Sequence, residues 1–167
     1  MPQTNSQYFA SIILNQLPTA VAVLQGAPDI GSLEGTVSFY QTERGVLVTA
    51  AVRGLPITRR ACAQPILALH IHNGTSCSGT QRDAFANAQT HYNPGKCPHP
   101  YHAGDLPPLF ATLDGFAWMA CLSDRFRVQD VLGRTVILHD RPDDFTSQPS
   151  GNSGSKIACG VISAVRR

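Results

Sequence analysis

"LALHIHNGTSC", residues 67–77, sets two imidazoles one residue apart inside an apolar run. In a β-strand residues i and i+2 point to the same face, so His70 and His72 stand side by side with Ile71 on the opposite face. Two imidazoles on one face can clamp a metal ion. The same pair also occurs as ordinary satisfied histidines in half-buried strands. The rest of the chain has to decide between the two.

Working outward, period-2 alternation and β-branched residues recur in short runs between turn signals. They are "TAVAVLQ" (19–25), "GTVSFYQT" (35–42), "GVLVTAAVRG" (45–54), "PILALHIH" (65–72), "GFAWMACL" (115–122), "RTVILHD" (134–140) and "ACGVISAV" (158–165). In "GTVSFYQT" Val37 and Phe39 share one face, and Ser38 and Tyr40 the other. The first runs are joined by short connections such as "TERG", as hairpins are. The one helix candidate is "SQYFASIILNQ" (6–16), which Pro18 stops. Residues 73–109 and 141–157 resist strand assignment, and long structureless loops in a domain are usually functional.

The pattern predicts an all-β fold: a Greek-key β-sandwich or flattened barrel of about eight antiparallel strands, with two long functional loops and a short N-terminal helix. Residues 1–18 form an extension and 19–167 the single domain, a length sufficient for a sizeable core. Hydrophobic residues make up 43 % and charged residues 14 %, which argues against disorder. A formal net charge of +2 gives no ground for nucleic-acid or membrane partners. No apolar run approaches the length of a membrane span. "MPQTNSQYFASIILNQLP" has neither a positively charged start nor a small-residue cleavage site. The expected location is cytoplasmic, or periplasmic or secreted if a leader has been removed. Five cysteines leave at least one unpaired in a monomer, so count alone does not fix the redox compartment.

The six histidines are distributed unevenly: His70, His72, His91, His99, His102 and His139 all lie in or beside the two long loops, and none precedes residue 70. Three of them stand with Asp105 in "HYNPGKCPHPYHAGD" (91–105). Neither scattered core histidines nor surface histidines would concentrate in this way.

Taken together, "HIHNGTSC", "HYNP", "HAGDL", "VILHDRPDD" and "GNSGSKIACGVI" resemble the copper/zinc superoxide dismutase family, in that family's order and over about residues 20–165. The resemblance implies copper ligation by His70, His72, His91 and His139. It implies zinc ligation by His91, shared between the two ions, with His99, His102 and Asp105. Imidazole suits both metals, and a four-nitrogen set favours oxidised copper. Three histidines with a carboxylate suit a closed zinc site. His91 can release reduced copper, take up a proton and pass it on.

Further roles follow from the same resemblance. Asp143 matches a carboxylate that bridges a copper histidine to a zinc histidine, although Pro142-Asp143 is also a turn signal. Lys156 stands where the family usually has an arginine that guides and holds superoxide; lysine keeps the charge but loses the planar fork, which predicts attenuated activity. Cys77 and Cys159 match an intrachain disulfide, the alternative being two buried thiols. Such a link restricts the unfolded chain by roughly 4–5 kcal/mol in the entropy model. Cys97 and Cys121 are candidates for a second bridge, Cys97 is also a candidate metal ligand, and Cys62 is unassigned. Gly104 and Gly160 mark close backbone approaches.

One departure stands out. The family separates its second and third zinc histidines by a longer loop, whereas "HPYH" places His99 and His102 three residues apart. Both rings can point inward only if that segment turns sharply, which Pro100 favours. The implied function is superoxide dismutation by copper redox cycling, with superoxide as substrate. The alternatives are a copper buffer or chaperone module on the same fold, and a copper-only dismutase with a vestigial zinc site. A homodimer fits the family, but the residues do not derive one.

Overall fold

The computed structural model describes residues 4–57 and 65–166. Eight strands form one antiparallel sheet: β1 (Ala20–Gly26), β2 (Glu34–Thr42), β3 (Gly45–Arg53), β4 (Ile66–His72), β5 (Asp105–Phe110), β6 (Ala117–Ser123), β7 (Thr135–His139) and β8 (Lys156–Ala164). Their order across the sheet is β5-β4-β7-β8-β1-β2-β3-β6. The two end strands, β5 and β6, come back alongside one another, so the sheet curls into a nearly closed barrel. The hairpins β1–β2 and β2–β3 are local pairs, whereas β1–β8, β3–β6 and β4–β7 are crossovers.

Alternation sorts the side chains as the sequence predicts. Val37 and Phe39 are fully buried in the barrel, with Leu24, Val48, Leu69 and Leu138 among their fellow core residues. Tyr40, on the other face of β2, is also buried, because a helix covers it. That helix, α1 (Asn5–Asn15), begins at a capping box between Thr4 and Gln7. Ile12 packs on Tyr40 and Leu47, and Tyr8, Phe9 and Ile13 flank it. Burying Ile12 contributes roughly 1.5–3 kcal/mol to docking the helix.

The stretch 73–109 is not all loop, which corrects the expectation for it. Its last residues form β5, missed because "DLPPLF" carries two prolines. Leu106 pairs with Leu69 and Leu109 with Leu67, so Pro107 and Pro108 together oppose the single residue Ala68. The prolines therefore occupy a β-bulge at the sheet's edge, where a missing N–H breaks no ladder.

Strand β4 decides where the site lies. Leu67, Leu69 and Ile71 enter the barrel core, so His70 and His72 point outward. On β7 Val136 and Leu138 face the core, which turns His139 outward as well. All three histidines are nonetheless buried, because the loops before β5 and before β8 lie over this wall. The Cys77–Cys159 disulfide joins the first of these loops to β8. Around it Phe85, Ala88, Ala27 and Ile137 form a second small core outside the barrel. Cys62 lies outside the described residues. Cys97 and Cys121 are free, Cys97 exposed and Cys121 half-buried, so the second bridge considered for them is not formed.

Candidate metal centre

Four histidines converge on the outer wall. One ligand nitrogen from each of His70, His72, His91 and His139 lies within 4.8 Å of the others. Hydrogen bonds choose which nitrogen faces inward. His72 donates from Nδ1 to the Gln89 carbonyl (2.8 Å), leaving its Nε2 only 3.3 Å from His139 Nε2. His139 turns Nδ1 toward the Gly154 carbonyl (3.4 Å). His70 gives Nε2 to Asp143 Oδ2 (2.9 Å), which leaves Nδ1 for the cluster.

A second set shares one member with the first. His91, His99, His102 and Asp105 also bring one ligand atom each within 4.8 Å of one another. His91 directs Nδ1 at Asp105 Oδ1 (2.8 Å) and so turns Nε2 toward the first set. His99 Nδ1 lies 3.1 Å and His102 Nδ1 3.3 Å from the Asp105 carboxylate. The "HPYH" segment does turn sharply, with the Tyr101 N–H donating to the Pro98 carbonyl (2.9 Å). His99 is buried and points inward despite the short spacing.

Asp143 joins the two sets. Its Oδ2 accepts from His70 and its Oδ1 from His99 (2.8 Å). Gly151 makes this possible: at φ +66° a side chain there would be strained, and a Cβ would run into Asp143 Oδ1 and His99 Nε2. Gly104 is excluded from carrying a side chain by the Ile71 carbonyl, which keeps "HAGDL" against β4.

Electrostatics favours neutral rings and ionised carboxylates. Burial lowers the pKa of His70 to about 4 and that of His139 to about 3; His91 adds to both shifts. Burial also pushes His72 well below its ordinary value. For Asp143 burial acts upward, but hydrogen bonds from His70, the Phe145 N–H and His99 outweigh it and hold the pKa at about 2. The group that results is a set of lone pairs with carboxylates behind them, which is what divalent metal ligation requires.

The donor set fits copper and zinc on one further observation. His70 Nδ1, His91 Nε2 and His99 Nδ1 are buried ring nitrogens with no hydrogen-bond partner. A buried polar atom left unpaired costs about 1–3 kcal/mol, and here three such atoms point into the two clusters. Metal ions in both clusters would satisfy all three.

A family model described as copper/zinc superoxide dismutase (SODC) matches residues 33–162. The chain belongs to the copper/zinc superoxide dismutase family. "Superoxide dismutase [Cu-Zn] 2" of Aquifex aeolicus (strain VF5) is 32 % identical over 146 residues, covering 79 % of this chain and 80 % of that protein. The human "Copper chaperone for superoxide dismutase" is 31 % identical over 163 residues, covering 89 % of this chain and 54 % of that protein. The solved "Cu/Zn superoxide dismutase from Brucella abortus" superposes with a TM-score of 0.70 at 25 % identity, over 85 % of this chain and 98 % of that one. The metals of the family are copper and zinc, and this dismutase-family chain carries a histidine cluster suited to each.

Several residues that position the site were not legible in the sequence. Gln148 clamps the backbone of His99, and Arg125 donates to the Pro100 (3.2 Å) and His102 (3.3 Å) carbonyls. Gln89 orients His72 from a backbone φ of +63°. Lys156, expected to guide the substrate, lines a cavity of about 990 Å³ together with His72, His91 and His139. Its ammonium donates to Asp83 Oδ2 (2.7 Å) and to the Phe85 carbonyl (3.2 Å). No motif singles out Asp83. Among the described residues no helix is long and apolar enough to cross a membrane.

Proposed function

We propose that this chain converts superoxide to oxygen and hydrogen peroxide, with copper at His70, His72, His91 and His139 and zinc at His91, His99, His102 and Asp105. The observation that carries the reading is the pair of unpartnered nitrogens, His70 Nδ1 and His91 Nε2, aimed into a cluster whose other two donors are His72 Nε2 and His139 Nε2. Copper bound there would supply one-electron exchange in both directions. Zinc bound in the second set would supply a fixed positive charge and hold the loop.

The chain's own groups do the rest. Gln89, Gly154 and Asp143 fix the tautomers of His72, His139 and His70 by occupying their outward nitrogens. Asp105 holds His91 through Nδ1. His91 Nε2, which has no protein partner, is therefore the atom that can hold a proton on the cavity side and hand it to a reduced substrate. Lys156 supplies a positive charge in the lining of the cavity beside His139, and Asp83 offsets it.

The disulfide supports an oxidising compartment, such as the periplasm, over a cytoplasmic one. Residues 19–167 are taken as the enzyme domain and residues 1–18 as an extension, its helix resting on Tyr40 and Leu47.

The test is a superoxide-consumption assay on the metal-reconstituted protein, with copper and zinc measured in the same sample. Consumption proportional to bound copper is expected. The pairing of Lys156 with Asp83 favours a second reading, a copper-holding module with little turnover. Copper bound in full with no catalysed consumption would select that reading instead.

A further inference from the structure

The large cavity lined by His72, His91 and His139 offers a small anion a route to the copper histidines, and its charges do not sum in the anion's favour. Among the described residues lining it are two cations, Arg82 and Lys156, and three carboxylates, Asp29, Asp83 and Asp140. Lys156 is the cation fixed beside the histidines, since it opens β8 next to His139 on β7. It is also the one whose charge is already met, by Asp83 at 2.7 Å.

Asp83 is not a passing neighbour. Its Oδ1 accepts the Phe85 N–H (3.0 Å), its own N–H donates to Thr80 Oγ1 (3.2 Å), and its carbonyl accepts the Thr80 N–H (2.8 Å). The carboxylate is therefore held by a closed turn and cannot swing away when an anion enters. Lys156 is mostly covered, with 15 % of its side chain exposed against 42 % for Asp83, so solvent screens the pair only in part. Burial acts to raise the Asp83 pKa, but the hydrogen bonds from Lys156 and the Phe85 N–H, together with the Lys156 charge, outweigh it and keep the group ionised.

We propose that Asp83 neutralises Lys156 and thereby sets how strongly the metal cavity holds small anions. Arg82, the adjacent residue, is exposed and takes no part in the pair. A chain with Lys156 left unneutralised would hold a monoanion more tightly at the same metal. The inference rests on copper binding at the four histidines.

The experiment uses azide as a monoanionic probe of the copper-loaded protein, followed by visible absorption at low and high ionic strength. Asp83→Asn removes the charge and retains an amide oxygen to accept the Phe85 N–H, so the turn is preserved. Its azide dissociation constant is expected to fall about fivefold at low salt, with the advantage shrinking as salt is added. Asp29→Asn, which removes a carboxylate from the same cavity without touching Lys156, should gain less than about twofold. In the double variant Asp83→Asn with Lys156→Gln most of the gain should vanish.

An unchanged or weakened azide affinity in Asp83→Asn overturns the inference. So does an equal gain in Asp29→Asn, or a full gain that survives Lys156→Gln. A wild-type protein that retains no copper, or shows no azide response, takes down the dismutase reading as well. Copper and an azide response in the wild type, with no effect of Asp83→Asn, removes only the role of Asp83.

Discussion

Gln148 grips His99 at both backbone polar groups: its amide nitrogen donates to the His99 carbonyl (2.7 Å) and its oxygen accepts the His99 N–H (3.0 Å). The contact spans 49 residues and ties the loop before β8 to the turn that carries His99 and His102, two of the proposed zinc ligands. In a chain whose "HPYH" step is short, this outside clamp takes over part of the work of a longer loop. His99 is thereby held with its ring inward, buried beside Asp105 and Asp143.

Gln148→Ala should therefore lower zinc affinity by about tenfold while leaving copper affinity nearly unchanged, since outer hydrogen-bond partners of ligands typically have effects of this size. Chelator competition on the metal-free protein, run separately for each metal, measures both. Equal losses for the two metals would show that Gln148 supports the fold and not the zinc turn.

His139 ends β7 and adds little to the barrel core, whose contacts run through Val136 and Leu138 on the opposite face. His139→Ala is expected to abolish superoxide consumption and most copper retention, while zinc binding and the β-sheet circular dichroism signal persist. Retained activity with full copper content would remove His139 from the ligand set.

Much of this arrangement was legible in the sequence, and the reason is periodicity. Alternation placed His70 and His72 on one face of β4, and the order of short motifs aligned His91, Asp105, His139 and Asp143 with their partners. What stayed hidden depends on contacts between residues far apart in the chain. Asp83 meets Lys156 across 73 residues, and no local pattern announces such a pair. Strand β5 stayed hidden for a different reason: Pro107 and Pro108 argue against a strand, and only an edge bulge opposite Ala68 accommodates them. That α1 covers the Tyr40 face of β2 was not legible either, because a strand's alternation does not reveal that a helix will lie over it.

Gln89 sits at φ +63°, ψ −144°, a backbone conformation that side chains other than glycine rarely adopt, and its carbonyl is the acceptor that fixes His72. Strain of this kind costs on the order of 1–3 kcal/mol. Gln89→Gly relieves it, offset in part by the greater freedom of glycine in the unfolded chain. A net gain of about 1 kcal/mol, seen as a higher denaturation midpoint with unchanged metal content, is the expected result.

The metal-free protein should lose stability on mild acidification. His70 and His139 have folded pKa values of about 4 and about 3, below the ordinary histidine value of 6.5. Between those limits the unfolded chain binds more protons than the folded one, so stability rises with pH across that window and is lost as pH falls through it. His70 alone accounts for about 3 kcal/mol when the window is fully crossed. Denaturant unfolding of metal-free protein at pH 7 and pH 5 should show the difference, and His139→Ala should reduce it while leaving the His70 share. A pH-independent midpoint would mean that the rings are already solvated in the metal-free state.

Asp143 is the residue whose loss should be felt by both metals. It accepts from His70 Nε2 on one oxygen and from His99 Nε2 on the other, so a single carboxylate fixes a ring in each ligand set. Asp143→Ala frees both rings to turn and takes away the carboxylate that strengthens them as donors. Copper and zinc affinities should then fall together, by about 10- to 100-fold each. Asp105→Ala makes the contrast: Asp105 belongs to the proposed zinc set only, so zinc should be lost at chelator concentrations that leave copper in place. Removing one metal's ligand and removing the shared acceptor thus give different orders of loss, which a two-metal chelator titration of the three proteins resolves. If Asp143→Ala released zinc alone, the bridge to His70 would have no part in holding copper.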